Sequence, residues 1–253
     1  MKNEIIEVIN LSHIYDDTGS AIKDINLSVS KGEFIILAGR NGSGKTTLFY
    51  HFNGLLSPSS GKVLVNGKNV KKYSTYARRT IGMVFQDADT QIVGETVFDD
   101  TAFGPENLKL SRDEINRTVT SSLDKLGLLP LKDRNPSTLS GGEKRKLAIA
   151  GILAMNPEVI VLDEPFSNLD YPGTRELLSC IKSLHASGHT ILVATHDIEK
   201  ILSCATRLII MDKGMIAADD IPSHLLKKLE DFGIREPCAS KLGMDIDRIS
   251  WIN

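Results

Sequence analysis

Three features of this 253-residue chain predict an α/β fold built on a mostly parallel sheet. The runs "FIILAG", "VIVLDE", "HTILVAT" and "RLIIMD" have strand length and almost no polar face, as strands covered on both sides require. In the last third these runs alternate with helical stretches, the order expected of a parallel sheet with crossover helices. The first third instead shows alternating burial and turn residues, the marks of an antiparallel portion.

Taken in order, "EIIEVIN" reads as a strand and "AIKDINLSVS" alternates apolar and polar residues as a half-buried strand does. "KGEFIILAG" is a turn followed by a buried strand, and "SGKVLVNGKNV" sets Gly and Asn-Gly turn signals around a short strand. Residues from about 86 to 155 are mostly helical. One helix there starts at the N-cap Ser111, with Glu114 three residues on, and ends at Gly127. The last third reads as strand "EVIVLDE", a helix from about Pro172 to Ala186, strand "HTILVAT", helix "DIEKILSCA" and strand "RLIIMD".

Composition narrows the function classes. The net charge of −2 gives no electrostatic case for a nucleic-acid partner. The start "MKNEIIEVINLSHIYDD" has no apolar signal-peptide core. No run approaches the ~18 apolar residues of a membrane span, so a soluble protein is expected whose membrane role comes through partners. Cys180, Cys204 and Cys238 are odd in number and far apart, which suits reduced thiols better than a disulfide or metal framework.

The strongest chemical signal is "GRNGSGKTT", Gly39 to Thr47, which fits G-x-x-x-x-G-K-[ST] between a buried strand and an apolar helix. Gly39, Gly42 and Gly44 allow backbone N–H groups to curl around phosphate oxygens, with Asn41, Ser43 and Thr47 in the same loop. Lys45 is suited to neutralise the β- and γ-phosphates, and the Thr46 hydroxyl to ligate Mg²⁺. "VIVLDEP" then places Asp163 and Glu164 at a strand's carboxyl end, where ligands bind in open α/β sheets. Asp163 is suited to hold Mg²⁺, directly or through water, and Glu164 to act as general base on the attacking water. His196 follows the next buried strand, within expected reach of the γ-phosphate edge.

"TLSGGEKRKLAIAGILAM" opens a helix with two glycines, Gly141 and Gly142, whose bare N–H groups can meet an anion. Ser140 and Glu143 have capping-box spacing, which accounts for Ser and Glu. It does not account for glycine in the first turn, where each costs ~1 kcal/mol relative to alanine.

With these motifs in this order, the sequence resembles the ATP-binding cassette (ABC) ATPases over nearly its whole length. The series is Tyr15, "GRNGSGKTT", Gln86 after "IGMVF", "LSGGE", "VIVLDEP", "SNLD" ending at Asp170, and His196. The resemblance implies a P-loop NTPase cassette with a RecA-like core, an antiparallel β subdomain and a helical subdomain at about 87–155. It assigns residues 1–230 to the ATP-binding domain and 231–253 to a short C-terminal extension. It further implies two cassettes paired head to tail around two ATP molecules. Lys45, Thr46, Gln86, Asp163, Glu164 and His196 serve one nucleotide and its Mg²⁺, Gln86 as a sensing residue and Mg²⁺ contact. Ser140, Gly141 and Gly142 close over the partner's nucleotide. Tyr15 stacks on adenine, and Asp170 sits at the dimer seam. Glu143 stands where the family more often has Gln, and Arg40 where many members have Pro or Ala. The capping box makes Glu143 chemically sensible, and neither departure implies lost activity.

The stretch "DTQIVGETVFDDTAFGPENL" after Gln86 is similar to the matching stretch of energy-coupling factor (ECF) importer ATPases. "LSGGEKRKLAIAGILAM" is similar to the cobalt and nickel members of that subgroup. The resemblance implies that 86–108 forms a groove for coupling helices of a transmembrane component, alongside a small substrate-binding membrane protein. Ile92, Val93, Val97, Phe98 and Phe103 are expected to receive apolar residues there, and Asp99, Asp100 and Glu106 basic ones. The short tail leans toward metal or biotin types, with one ATPase forming a homodimer; a heterodimer is also compatible. The expected location is the cytoplasmic face of the cell membrane. The alternative is the ATPase of a binding-protein-dependent importer or an exporter. The solute is not encoded in this chain.

Overall fold

The computed structural model describes residues 3–15 and 19–243. The chain opens with strands β1 (Glu4–Tyr15), β2 (Gly19–Ser30) and β3 (Phe34–Ala38), then helix α1 (Lys45–Phe52). The hairpin of β4 (Ser60–Val65) and β5 (Lys68–Asn69) leads to α2 (Ser74–Thr80) and β6 (Ile81–Val84). Helices α3 (Val97–Asn107), α4 (Arg112–Lys125) and α5 (Gly141–Leu153) follow. The last third runs β7 (Val159–Asp163), α6 (Tyr171–Ala186), β8 (Thr190–Thr195), β9 (Arg207–Asp212) and β10 (Met215–Asp220). The short α7 (Pro222–Leu225) and α8 (Cys238–Lys241) come last.

Two sheets form. One is antiparallel, in the order β2-β1-β4-β5, and the other has the order β10-β9-β3-β8-β7-β6. In the second sheet β9, β3, β8, β7 and β6 are parallel and β10 is an antiparallel edge. Every residue of β3, β7 and β8 is buried, as their unbroken apolar runs demand. Strand β3 shows how the sheet divides the core. Phe34, Ile36 and Ala38 enter a cluster with residues of α4, α5 and α6, while Ile35 and Leu37 pack with Leu48, Phe49 and Phe52 of α1 and inward residues of the antiparallel sheet. The parallel sheet is thus covered on both faces.

Local chemistry sets the element ends. The β4–β5 hairpin turns at Asn66-Gly67 with φ of 46° and 73°, the positive pair that a type I′ turn needs. Helix α4 carries the full Ser111–Glu114 capping box, and Gly127 follows it at φ 69°. The expected helix over "DIEKILSCA" is not formed; only a 3₁₀ turn at Leu202–Cys204 appears. Its apolar spacing still buries Ile198, Ile201 and Leu202. The stretch is shorter than the ~12–15 residues at which a helix becomes marginally stable alone. Thr195 Oγ1 also accepts from Asp197 N at 3.1 Å, turning the chain just after β8.

The C-terminal stretch joins the same core, with Leu225, Leu226, Leu229 and Ile234 all buried. The start of the expected extension is therefore built into the main body, and its residues 244–253 lie outside the described residues. No helix among the described residues is long and apolar enough to cross a membrane.

Candidate active site

Parallel register brings the functional loops together. Ala38 pairs with Thr195, Asp163 with Ala194 and Val84 with Leu162, so the carboxyl ends of β3, β8, β7 and β6 lie along one edge. Beside that edge opens a cleft of about 650 Å³, lined by the loop from Asn41 to Thr47 together with Tyr15, Gln86, Asp163 and Glu164.

The loop is shaped by what it cannot carry. A Cβ on Gly39 would lie 2.5 Å from both Met211 O and Ser43 Oγ. Gly44, at φ 102°, would press a Cβ to 2.7 Å from Ile22 Cγ2. Gly44 is also the N-cap of α1, so no side chain caps this helix, and its first turn holds no acidic residue. Its first N–H groups and the positive end of its dipole are left for an anion.

Lys45 is buried at the head of α1, where its Nζ donates to Gly39 O at 2.7 Å and Arg40 O at 3.1 Å. Nζ is also 4.0 Å from Glu164 Oε1. Burial holds the Lys45 ammonium below the usual lysine range, with Glu164 and Asp163 opposing the shift. The Thr46 hydroxyl donates to Asp163 Oδ2 at 2.6 Å. Among the described residues, Asp163 Oδ1 is buried without a hydrogen-bond partner. Burial pushes this carboxyl above the ordinary range, partly offset by the Thr46 bond. A dry carboxylate oxygen beside a hydroxyl is a hard-oxygen donor set with an open demand, which suits a small divalent cation keeping several waters.

Glu164 leaves β7 in the left-handed region, φ 46°, a conformation that costs about 1–3 kcal/mol for a non-glycine residue. The turn carries its carboxylate toward β8. Oε2 accepts from Thr195 Oγ1 at 3.1 Å; Oε1 accepts from His196 N at 3.1 Å and His196 Nδ1 at 2.9 Å. His196 therefore meets the cleft through Glu164 and does not itself line it. Tyr15 stands at the end of β1, 36% exposed, with its hydroxyl 3.4 Å from Thr47 Oγ1. Gln86 is exposed on the cleft. Gly39 contributes through its carbonyl.

Ser140, Gly141 and Gly142 do not line this cleft. They open α5, where Ser140 Oγ accepts from Glu143 N at 3.3 Å and Glu143 Oε2 accepts from Ser140 N at 2.7 Å and Ser140 Oγ at 2.8 Å. Asp170 caps α6 by accepting from Gly173 N at 2.9 Å.

Several contributors were not foreseen. Ala21, Lys213 and Gly214 line the cleft. Gly214 N donates to Ser43 O at 3.1 Å, and Gly214 O accepts from Lys23 N at 2.8 Å. The Lys213-Gly214 pair, φ 46° and 80°, was readable as a hairpin turn, but its seat on the phosphate loop depends on strand order. Arg145, buried in α5, donates through Nη1 to Phe85 O at 3.0 Å and so steadies the backbone before Gln86.

Two expectations for the acidic stretch after Gln86 are corrected. Val97 is 0% exposed and belongs to the core, because its place at the start of α3 turns it inward. Asp100 is buried, and its Oδ1 accepts from Val93 N at 2.8 Å and Gly94 N at 3.0 Å. That carboxylate closes a turn and is not presented to a basic partner. Phe98 is half-buried against the core, whereas Val93 and Phe103 are 62% and 55% exposed. Asp99 and Glu106 are exposed.

Comparison with known proteins agrees with this geometry. The model of the family "ABC transporter" matches residues 22–167. A longer protein of Methanosarcina mazei is 39% identical over 250 residues, 96% of this chain, and the chain spans 55% of that protein. The energy-coupling factor transporter ATP-binding protein EcfA of Methanocaldococcus jannaschii is 42% identical over 89% of this chain and 82% of its own length. The solved structure of cbiO1 from Clostridium perfringens, part of the ABC transporter complex cbiONQ, superposes with a TM-score of 0.82 at 36% identity. That likeness covers 95% of this chain and 99% of the other. A bare phosphate-loop helix beside a dry aspartate, set in this fold and these likenesses, places the chain in the ABC transporter family, as an ATPase of the energy-coupling factor kind.

Proposed function

We propose that the chain powers an energy-coupling factor importer for a transition metal ion such as cobalt or nickel, or for a vitamin such as biotin. The dry Asp163 Oδ1, held beside the Thr46 hydroxyl under the phosphate loop, carries the catalytic part of this reading. Thr46, Asp163 and Gln86 would hold Mg²⁺, which when bound supplies charge neutralisation on the β- and γ-phosphates. Lys45 moves its three donors from the Gly39 and Arg40 carbonyls to the same phosphates, and the loop N–H groups of Asn41 to Thr47 cradle them. Tyr15 stacks on adenine.

Glu164 orients and deprotonates the attacking water. Its bonds from Thr195 and His196 fix the carboxylate, so His196 acts on the reaction through Glu164. Ser140, Gly141 and Gly142, which lie outside the lining of this cleft, serve the nucleotide of a second cassette, in a homodimer by preference. A transmembrane component docks on the depression of about 420 Å³ lined by Ile92, Val93, Asn135, Pro136 and Lys144. Exposed Val93 and Phe103 supply apolar contact beside Asp99 and Glu106. A substrate-binding membrane protein completes the complex on the cytoplasmic face of the cell membrane.

Glu164→Gln tests the base: nucleotide binding should persist while turnover falls by about 10²–10⁴. Undiminished steady-state hydrolysis would remove Glu164 from that role. Phe103→Asp should leave ATPase activity of the isolated subunit intact and weaken co-purification with the membrane component. Uptake of labelled cobalt, nickel or biotin by cells with and without the transporter identifies the solute.

A further inference from the structure

The near-neutral total hides a strong asymmetry. Between Glu33 and Asp87 the sequence has no acidic residue and eight basic ones. Two of these, Arg40 and Lys45, belong to the phosphate loop. The other six, Lys62, Lys68, Lys71, Lys72, Arg78 and Arg79, fall on β4, β5, α2 and the turn between them. All six are exposed, and none forms an ion pair among the described residues. Carboxylate pairs do form on other parts of the molecule, as with Lys144 and Asp89, Lys146 and Glu176, and Arg207 and Asp219. The six make a basic face on contiguous elements; the carboxylate beside it, Glu158, is bonded to Asn66 and paired with Lys31.

This face also carries apolar and aromatic surface. Tyr73 is 44% exposed and Leu55 46% exposed. They belong to one surface, because Arg78 ties α2 to the turn after α1 through Asn53 O (3.3 Å) and Gly54 O (3.2 Å). Lys68 Nζ lies 3.8 Å above the Tyr76 ring and Lys72 Nζ 5.4 Å from the Tyr73 ring, so two of the cations sit on aromatic rings. A depression of about 200 Å³ opens in the same face, with Lys62, Lys71, Asn69 and Ser74 in its lining. His51 also lines it, and its Nε2 is buried without a hydrogen-bond partner among the described residues.

We propose that this face binds the anionic phospholipid headgroups of a bilayer, with a headgroup phosphate entering the depression between Lys62 and Lys71. Several chemical features favour lipid. Exposed lysines are drawn to an anionic surface, and Tyr73 and Leu55 have the amphipathic and apolar character that enters the headgroup layer. The inference deepens the peripheral-membrane reading of the proposed function, since it adds a direct lipid contact to the protein partner docked at Val93 and Phe103.

The test uses the purified full chain without any membrane component, so that failure of the docking or transport reading does not touch it. Sedimentation with phosphatidylcholine vesicles is compared with sedimentation with vesicles also containing phosphatidylglycerol. The chain should partition onto the second kind only, and less so as salt is raised. The triple variant Lys71→Gln, Lys72→Gln, Arg79→Gln should lower that partition by about 100-fold, roughly fivefold for each surface charge lost. Its ATPase activity and melting temperature should not change. Equal binding to both vesicle types, or partition unaltered in the triple variant, overturns the proposal. So does an RNA homopolymer that binds the chain and loses affinity in the variant while vesicle partition stays the same.

Discussion

Helices α1 and α5 both start with glycine at or beside the cap, yet their ends are finished differently. Helix α1 has Gly44 as N-cap, with no side-chain cap and no acid in its first turn. Helix α5 has Ser140 and Glu143 satisfying each other's backbone, the same closed box that Ser111 and Glu114 make on α4. The bare end faces the cleft and has Lys45, Thr46 and Asp163 at its foot. The closed end lies outside that cleft. A helix end that must receive phosphate in its own chain is left unsatisfied. An end outside the cleft is capped, and α5 adds two glycines to a start that already has its cap.

The largest expected effect breaks the bare end. Lys45→Ala removes a buried cation at its head and should weaken ATP binding by about 30-fold or more, measured by nucleotide titration. Unchanged affinity would mean that the loop N–H groups suffice.

The dry aspartate is the next contrast. Its carboxyl is raised by burial, so the folded state holds the proton more tightly than the unfolded chain does. Asp163 therefore favours folding most below the ordinary carboxylate pKa, and that stability is lost as pH rises through the raised value. Above that raised value the ionised group is a burden. Asp163→Asn should abolish Mg²⁺-dependent turnover and raise the melting temperature by about 2–4 °C, since a neutral amide is cheaper to leave dry. A lower melting temperature would show that the Thr46 bond outweighs burial.

The smallest effect sharpens the comparison of the two capping boxes. Ser140→Ala and Ser111→Ala should each lower the melting temperature by about 2–4 °C, the loss of one N-cap of ~1 kcal/mol. Only Ser140→Ala should also lower turnover. Equal turnover in the two variants would reduce Ser140 to a cap.

Much of this was legible in residue order. The phosphate loop, Asp163 and Glu164 each follow an apolar strand, and parallel register carries anything that follows such strands to one edge. The capping boxes and the Asn66-Gly67 turn are local chemistry and needed no tertiary information. What sequence could not give depends on distant pairing. Asp100 and Asp99 are neighbours, but only the fold of 93–94 back over α3 makes one a buried acceptor and leaves the other in solvent. His196 was expected at the phosphate edge, and its Nδ1 contact with Glu164 depends on the left-handed turn at that residue. The helix expected over "DIEKILSCA" failed because apolar spacing reports burial, which a 3₁₀ turn also provides.

The turn at Gly214 has a kinetic consequence. Its N–H holds the phosphate loop at Ser43, its carbonyl holds Lys23 of the antiparallel sheet, and it sits at the tip of β10, an edge strand paired on one side only. Edge strands open at lower free energy than central ones. Transient fraying of β10 therefore releases two layers and the phosphate loop together. The exchange of the Gly214 and Lys23 amides with deuterated solvent becomes a direct measure of how firmly that loop is held, and nucleotide in the cleft should slow both in step.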